Sequence, residues 1–267
     1  MLKVRDIAAC LEGLAPSSAA CPWDNVGLIV GDMGAEVKKI LVALDASFAV
    51  AEEAVKFGVD LIVTHHPVIF GGLKEIVTTT GRGRTFYTLI QNGVSVYSAH
   101  TNLDAADGGT NDALFEALNL REKETLLIDG AALARAGVLI KDLPLSEFSE
   151  FVKKTLGTDI INFAGDPDKM VRKTAVAAGA ASGRKYFVEA AKAGCDCYVT
   201  GDVSYHDAQD ALDLGLGVID AGHFATEAPV VGALCRYLER VARENGWALE
   251  VFPSEQKDIF NRVGGGR

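Results

Sequence analysis

Short, almost unbroken apolar runs alternate along this chain with stretches whose apolar positions recur at helical spacing. Residues 40–44, 61–64 and 94–98 are rich in Val and Ile, and residues 47–57 and 85–91 lie between them as helix-like segments. Strands that read apolar at nearly every position are covered on both faces, which predicts βαβαβ order on a parallel or mixed sheet flanked by helices. The second half repeats the design, with predicted strands over 174–178, 195–200 and 217–220 and predicted helices over 184–193 and 206–214.

The recurrence reaches residue identity. Glu53, Ala54, Lys56, Gly58, Asp60, Val63 and Thr64 reappear, without a gap, as Glu189, Ala190, Lys192, Gly194, Asp196, Val199 and Thr200. Glycine after a helix is a common cap on its own, but the rest of the match favours duplication. The expected fold class is therefore α/β, with two similar lobes and a site in the cleft between them: a first lobe over residues 1–125, then a connecting segment and second lobe over 126–267, without a large inserted domain. Within the connecting segment, Ser146 is the expected N-cap of an amphipathic helix carrying Phe148, Phe151, Val152 and Leu156, and residues 136–140 form a strand. The glycine tail at 264–267 is expected to be mobile.

Charge and composition narrow the function classes. A net charge of −10 argues against generic nucleic-acid binding, which needs Lys and Arg to neutralise phosphates. No apolar run approaches the ~20 residues that span a bilayer, and Lys3, Arg5, Asp6 and Glu12 interrupt the start of the chain, so a cytoplasmic location is expected. Five cysteines without a CxxC pair read as free thiols; Cys195 and Cys197, two apart in a predicted strand, are expected on one face.

Of five histidines, His65, His66, His100 and His223 fall at or just past the carboxyl end of a predicted strand. Ligands bind in the crevice beyond those ends in open α/β sheets. Asp104 follows His100 closely, and Glu227 lies four residues after His223, one helical turn away. Imidazole nitrogen and carboxylate oxygen suit zinc, iron or manganese, while a histidine-rich crevice also suits acid–base or phosphate chemistry. In a regular strand the adjacent His65 and His66 diverge, which suits two ions, one per histidine. Gly179 to Arg184 reads either as an anion-binding turn or as a plain connection, and Gly81 to Arg84 either as a phosphate contact or as an exposed loop.

Several blocks together are specific: Trp23-Asp24-Asn25-Val26-Gly27-Leu28, Thr64-His65-His66-Pro67, Tyr97 to Asp104 with its His-Thr-Asn-Leu-Asp ending, Thr200-Gly201-Asp202 with Tyr205-His206, and Gly222-His223 with Glu227. In these the chain resembles the Nif-three-like dinuclear-metal family, whose members are often labelled GTP cyclohydrolase type-two homologues. The resemblance implies two α/β lobes around two divalent ions and a toroidal homohexamer. Residue by residue it implies His65, His66, Asp104, His223 and Glu227 as metal ligands; in a hydrolase, His100 or His206, not needed as ligands, is then expected to shuttle protons. The expected function is metal-dependent hydrolysis of a small molecule such as a nucleotide, pterin-like ring or phosphoester; the alternative is a metal-dependent regulatory or scaffold protein without turnover.

Overall fold

The computed structural model describes residues 1–261, so the tail at 264–267 lies outside the described residues. The first elements are α1 (Val4–Leu14), β1 (Gly27–Val30), β2 (Lys39–Ala43), α2 (Phe48–Phe57), β3 (Leu61–Thr64), α3 (Gly81–Gln91), β4 (Ser95–Ser98) and α4 (Thr101–Ala105). Next come α5 (Thr110–Ala117), β5 (Arg121–Ile128), β6 (Ala131–Pro144), α6 (Leu145–Leu156), β7 (Asn162–Ala164), β8 (Met170–Val176), α7 (Arg184–Lys192), β9 (Cys197–Thr200), α8 (Tyr205–Asp213), β10 (Gly217–Asp220) and α9 (His223–Glu227). The chain continues through α10 (Pro229–Asn245) and β11 (Glu250–Pro253). Two compact units result: Met1–Gly109 with Val231–Lys257, and Thr110–Val230 with the described residues from Asp258.

Local chemistry explains the boundaries. Ser47 caps α2 by accepting from the Val50 amide, and Gly58 ends it at φ +63°, a left-handed conformation that glycine adopts without strain. Thr80 caps α3 through the Gly83 amide, so Arg82 and Arg84 belong to a helix rather than a loop, and the Arg84 guanidinium lies 3.8 Å from the Phe48 ring centre. Helix α6 starts one residue before Ser146, with Pro144 at the N-cap. The Ser146 amide and hydroxyl both donate to the Pro167 carbonyl, so that hydroxyl does not cap the helix.

Both sheets are mixed, as the α/β reading allows. The first runs β1-β4-β3-β2-β11, with β4, β3, β2 and β11 parallel and β1 antiparallel at one edge. The second runs β5-β6-β8-β9-β10-β7, with β8, β9 and β10 parallel and β7 antiparallel at one edge. The order β1-β2-α2-β3-α3-β4-α4 is thus repeated as β7-β8-α7-β9-α8-β10-α9, which is the topological form of the duplicated sequence. The repeated aspartates do the same work in each copy. One oxygen of Asp60 accepts from the Lys38 and Lys39 amides at 2.7 and 3.0 Å, and one oxygen of Asp196 accepts from the Arg172 and Lys173 amides at 2.9 and 3.0 Å.

The central strands β2, β3, β4, β9 and β10 are buried on both faces. In the first unit, Leu41, Ile62 and Val96 pack with Val50, Ala54 and Leu89 of the helices. In the second, Val176, Val199 and Ile219 pack with Phe148 and Leu114 on one side, and Ala175, Tyr198 and Val218 pack with Phe187 and Ala211 on the other. Cys195 and Cys197 separate between these two cores, against the single face expected of them. The reason is that β9 begins only at Cys197, so strand alternation does not extend back to Cys195. Burial pushes the Cys195 and Cys197 thiols up to about 12 and the Cys235 thiol up to about 11.

Arg135 is fully buried in the second unit. Its Nε donates to Asp112 Oδ1, its Nη1 donates to the Ala132 and Ala134 carbonyls, and Lys123 Nζ reaches the other Asp112 oxygen at 2.6 Å. Next to Asp112, Asn111 donates to the Leu133 carbonyl and accepts from the Ala178 amide, tying α5 to the exit of β8.

Removing one partner of a buried ion pair is strongly destabilising, so Asp112→Ala is expected to lower the unfolding free energy by about 3–5 kcal/mol, and adding Arg135→Met to recover most of that loss. Urea denaturation of the two variants checks this; equal stability of both would contradict it. The raised thiols are protonated in the folded state and their stability contribution is complete below the ordinary thiol value of 9.0, then lost as pH rises toward about 12. At pH 8, mass spectrometry after brief treatment with a thiol reagent should find Cys195, Cys197 and Cys235 unmodified in the native protein and modified in denaturant.

Candidate metal centre

Three parallel strands of the first unit end at one level. The His65 and His66 amides donate to the Ala43 and Leu44 carbonyls at 3.2 and 2.8 Å, and the Ala99 amide donates to the Thr64 carbonyl at 2.9 Å. The Thr64 and Ser98 hydroxyls, 2.8 Å apart, lock β3 to β4 just before the histidines. The His65 and His66 ring centres are 5.0 Å apart, and both lie near His100, at 5.1 and 5.5 Å. One ligand nitrogen of each ring falls within 4.8 Å of the other two, a group able to hold a metal ion. The expected divergence of His65 and His66 does not occur, because β3 stops at Thr64 and neither residue follows strand alternation. His65 Nε2 also faces Asp104 Oδ1 at 3.5 Å; α4, on which Asp104 sits, starts directly after His100.

The second unit offers a smaller group. Helix α9 starts at His223, and one turn brings His223 Nε2 to 3.2 Å from Glu227 Oε1. Glu227 is buried and packed by backbone. Gly179 has φ +68°, and a Cβ there would sit 2.2 Å from Glu227 Oε1. The Gly179 amide donates to Thr226 Oγ1, so this turn supports the carboxylate rather than presenting that amide to an anion.

Each of these four histidines has its Nδ1 held by an oxygen: His65 by the Ala99 carbonyl at 3.0 Å, His66 by Asp45 at 2.9 Å, His100 by Asp24 at 2.9 Å and His223 by Asp202 at 2.8 Å. An oxygen acceptor places the proton on Nδ1 and leaves the Nε2 lone pair for a ligand, the arrangement that orients imidazoles around metals. The donor set of imidazole nitrogens and carboxylate oxygens therefore fits a divalent ion of the zinc, iron or manganese type. His206 stands apart: its Nδ1 bonds Gln209 on its own helix, and it joins no group of ligand-type side chains among the described residues.

Asp24 supports the histidine group from the turn before β1. Its side chain is fully buried and accepts from His100, from the Asn25 amide and from the Thr101 amide and hydroxyl. Burial alone would raise its pKa; the hydrogen bonds from His100 and Thr101 outweigh that and hold the carboxyl well below the usual carboxylate range. Asn25 Nδ2 donates to the Ile69 carbonyl, joining this turn to the loop after His66. The two loops carry the exposed rings of Trp23 and Phe70, whose centres lie 6.0 and 5.5 Å from His100. Asp45 and Asp202 received no role from sequence reasoning. Their position just past a strand end, shared with the histidines, was the available signal.

The sequence matches Duf34/NIF3 (NGG1p interacting factor 3) over residues 2–259. A protein of Clostridium acetobutylicum named GTP cyclohydrolase 1 type 2 homolog is 38% identical, with 95% of this chain and 96% of that protein aligned. A Bacillus subtilis protein of the same name is 29% identical over 360 aligned positions, covering 94% of this chain and 96% of its own length, so it carries inserted sequence that this chain lacks. Among solved structures, the Bacillus cereus protein related to NIF3 superposes with a TM-score of 0.91 at 25% identity, covering 98% of this chain and 99% of that one. Reduced HcgD from Methanocaldococcus jannaschii gives a TM-score of 0.78 at 32% identity, covering 96% and 98%. A sequence match over nearly the whole chain, carried on the same fold, shows that this protein belongs to the Duf34/NIF3 family.

Proposed function

We propose that His65, His66, Asp104, His223 and Glu227 hold two divalent ions and that the protein is a metal-dependent hydrolase. The observation that carries this reading is that the three histidines of the proposed ligand set, His65, His66 and His223, each have Nδ1 tied to an oxygen, which leaves Nε2 available to a ligand. Divalent ions at such a site would supply Lewis acidity toward a substrate oxygen and would acidify a water.

The chain's own residues have separate tasks. Asp24 holds the His100 ring, which is placed to carry a proton beside the ligand nitrogens. His206, exposed on α8 and bonded to Gln209 of its own helix, is the alternative for that task in this reading. The Trp23 and Phe70 rings supply flat apolar surface next to His100, which favours a substrate with a planar ring, such as a nucleotide base or a pterin-like compound, over a bare phosphoester. Self-association into a homohexamer is part of the same proposal and is carried by the family resemblance. The buried cysteines, with thiols held protonated, do not supply a nucleophile.

Untagged protein is expected to contain two ions per chain by elemental analysis. Asp104→Ala should lose at least one ion, and any turnover found by screening nucleotides, pterins and phosphoesters on metal-defined protein. A content well below one ion per chain, not restored by zinc, iron or manganese, would overturn the metal reading; metal-loaded protein without turnover across the screen would favour a regulatory role. The carboxylate behind His223 gives a finer test. Asn tolerates the left-handed backbone at Asp202 (φ +54°), so Asp202→Asn should leave thermal stability unchanged while weakening ion affinity by about 10–100-fold in a chelator competition.

A further inference from the structure

The last described stretch of chain reaches back to the histidine group. Strand β11 pairs in parallel with β2, and the residues after it are tied down one by one. The Ser254 amide donates to the Val42 carbonyl at 2.8 Å, its hydroxyl to Glu53 Oε2 at 2.5 Å, and the Glu255 amide to Glu53 Oε1 at 3.0 Å. These contacts deliver Gln256, whose Oε1 accepts from the Leu44 and Asp45 amides at 3.1 Å each and whose Nε2 donates to Asp45 Oδ2 at 2.7 Å. The other oxygen of that carboxylate accepts from His66 Nδ1. The amide has one orientation here, since its oxygen alone can accept from two N–H groups and its nitrogen alone can donate to a carboxylate.

We propose that Gln256 is a positioning residue for His66: by holding the Asp45 carboxylate it fixes the tautomer and direction of the imidazole, and through them the ion affinity of this corner of the site. The geometry stands by itself; the consequence for affinity rests on the metal-binding reading above.

The duplicated half separates this role from plain scaffolding. By strand register, Leu44 corresponds to Ala178, and the Ala178 amide is likewise taken by a side-chain amide oxygen, that of Asn111, at 2.9 Å. An acceptor at this position is common to both halves. Donation to a carboxylate is not, because Gly179 stands at the register position of Asp45.

Gln256→Glu tests the proposal, since it keeps an acceptor for the two backbone amides and turns the donor into a second carboxylate oxygen facing Asp45. Two readouts apply to the full-length protein: ¹⁵N NMR of His66 without metal, which reports the protonated ring nitrogen, and Zn²⁺ affinity by chelator competition. We expect the substitution to move His66 away from the Nδ1–H tautomer and to weaken zinc binding about 10-fold, with the unfolding midpoint near wild type. In an Asp45→Asn background, where the new amide can donate to the glutamate and still accept from His66, the same substitution should cost less than about twofold. Gln256→Ala should shift the tautomer in the same sense, so the outcome does not depend on the glutamate variant folding. An unchanged tautomer, or equal losses in both backgrounds, overturns the proposal. If the wild-type protein binds no zinc while the tautomer still shifts, the metal reading fails and the positioning role of Gln256 stands.

Discussion

Parallel pairing of β2, β3 and β4 in a single register is the constraint on which the first unit's chemistry depends. Parallel strands end together, so the residues that follow them, Asp45, His65 with His66, and His100, emerge side by side. The backbone bonds from His65 and His66 to the β2 exit continue the ladder past the last strand residue and bring the Asp45 carboxylate within reach of the His66 ring. A slip of one residue would put the strand ends out of step and separate the residues that leave them. The aspartate before β3 opposes such a slip by clamping the start of β2 through two amides.

The second unit keeps this frame and changes its contents. Asp196, the Gly194 cap and the Val199-Thr200 ending reproduce their counterparts, but Gly201 stands where the first half has His65. A side chain there is excluded: a Cβ on Gly201 would meet the Gly222 and His223 backbone at 2.6 Å. The ligand-type residues of this unit are carried instead on α9, after β10, where a single helical turn sets the separation of His223 and Glu227. The two halves share equivalent strand-end platforms, and at Gly201 of the second there is no room for a donor side chain.

Holding polar groups at these strand ends has a recognisable cost. Asp24 is buried, yet its four hydrogen bonds keep it ionised and fix His100. Buried carboxylates satisfied this fully make a stiff support for a ring that has to meet a ligand in one orientation.

Much of the scaffold was legible in the chain. The strands β2, β3, β4, β9 and β10, the helices α2, α7 and α8, and the repeat itself follow from local periodicity and from helix-ending glycines, which depend on neighbouring residues alone. The strand-end histidines were legible for the same reason, and Glu227 because one helical turn is a local distance. What the sequence could not express were relations set by packing. The edge strands β1 and β7 are short and defined by the partner they pair with, the 14-residue β6 is bounded by its neighbours in the sheet, and the separation of Cys195 from Cys197 depends on where β9 begins. The supports of the histidines are equally non-local. Asp24 reaches His100 across 76 residues, and Gln256 reaches Asp45 across 211. Composition and spacing determined which chemistry the chain could carry; tertiary contact decided which oxygen stands behind each imidazole, because hydrogen-bond geometry is a property of folded neighbours and not of sequence separation.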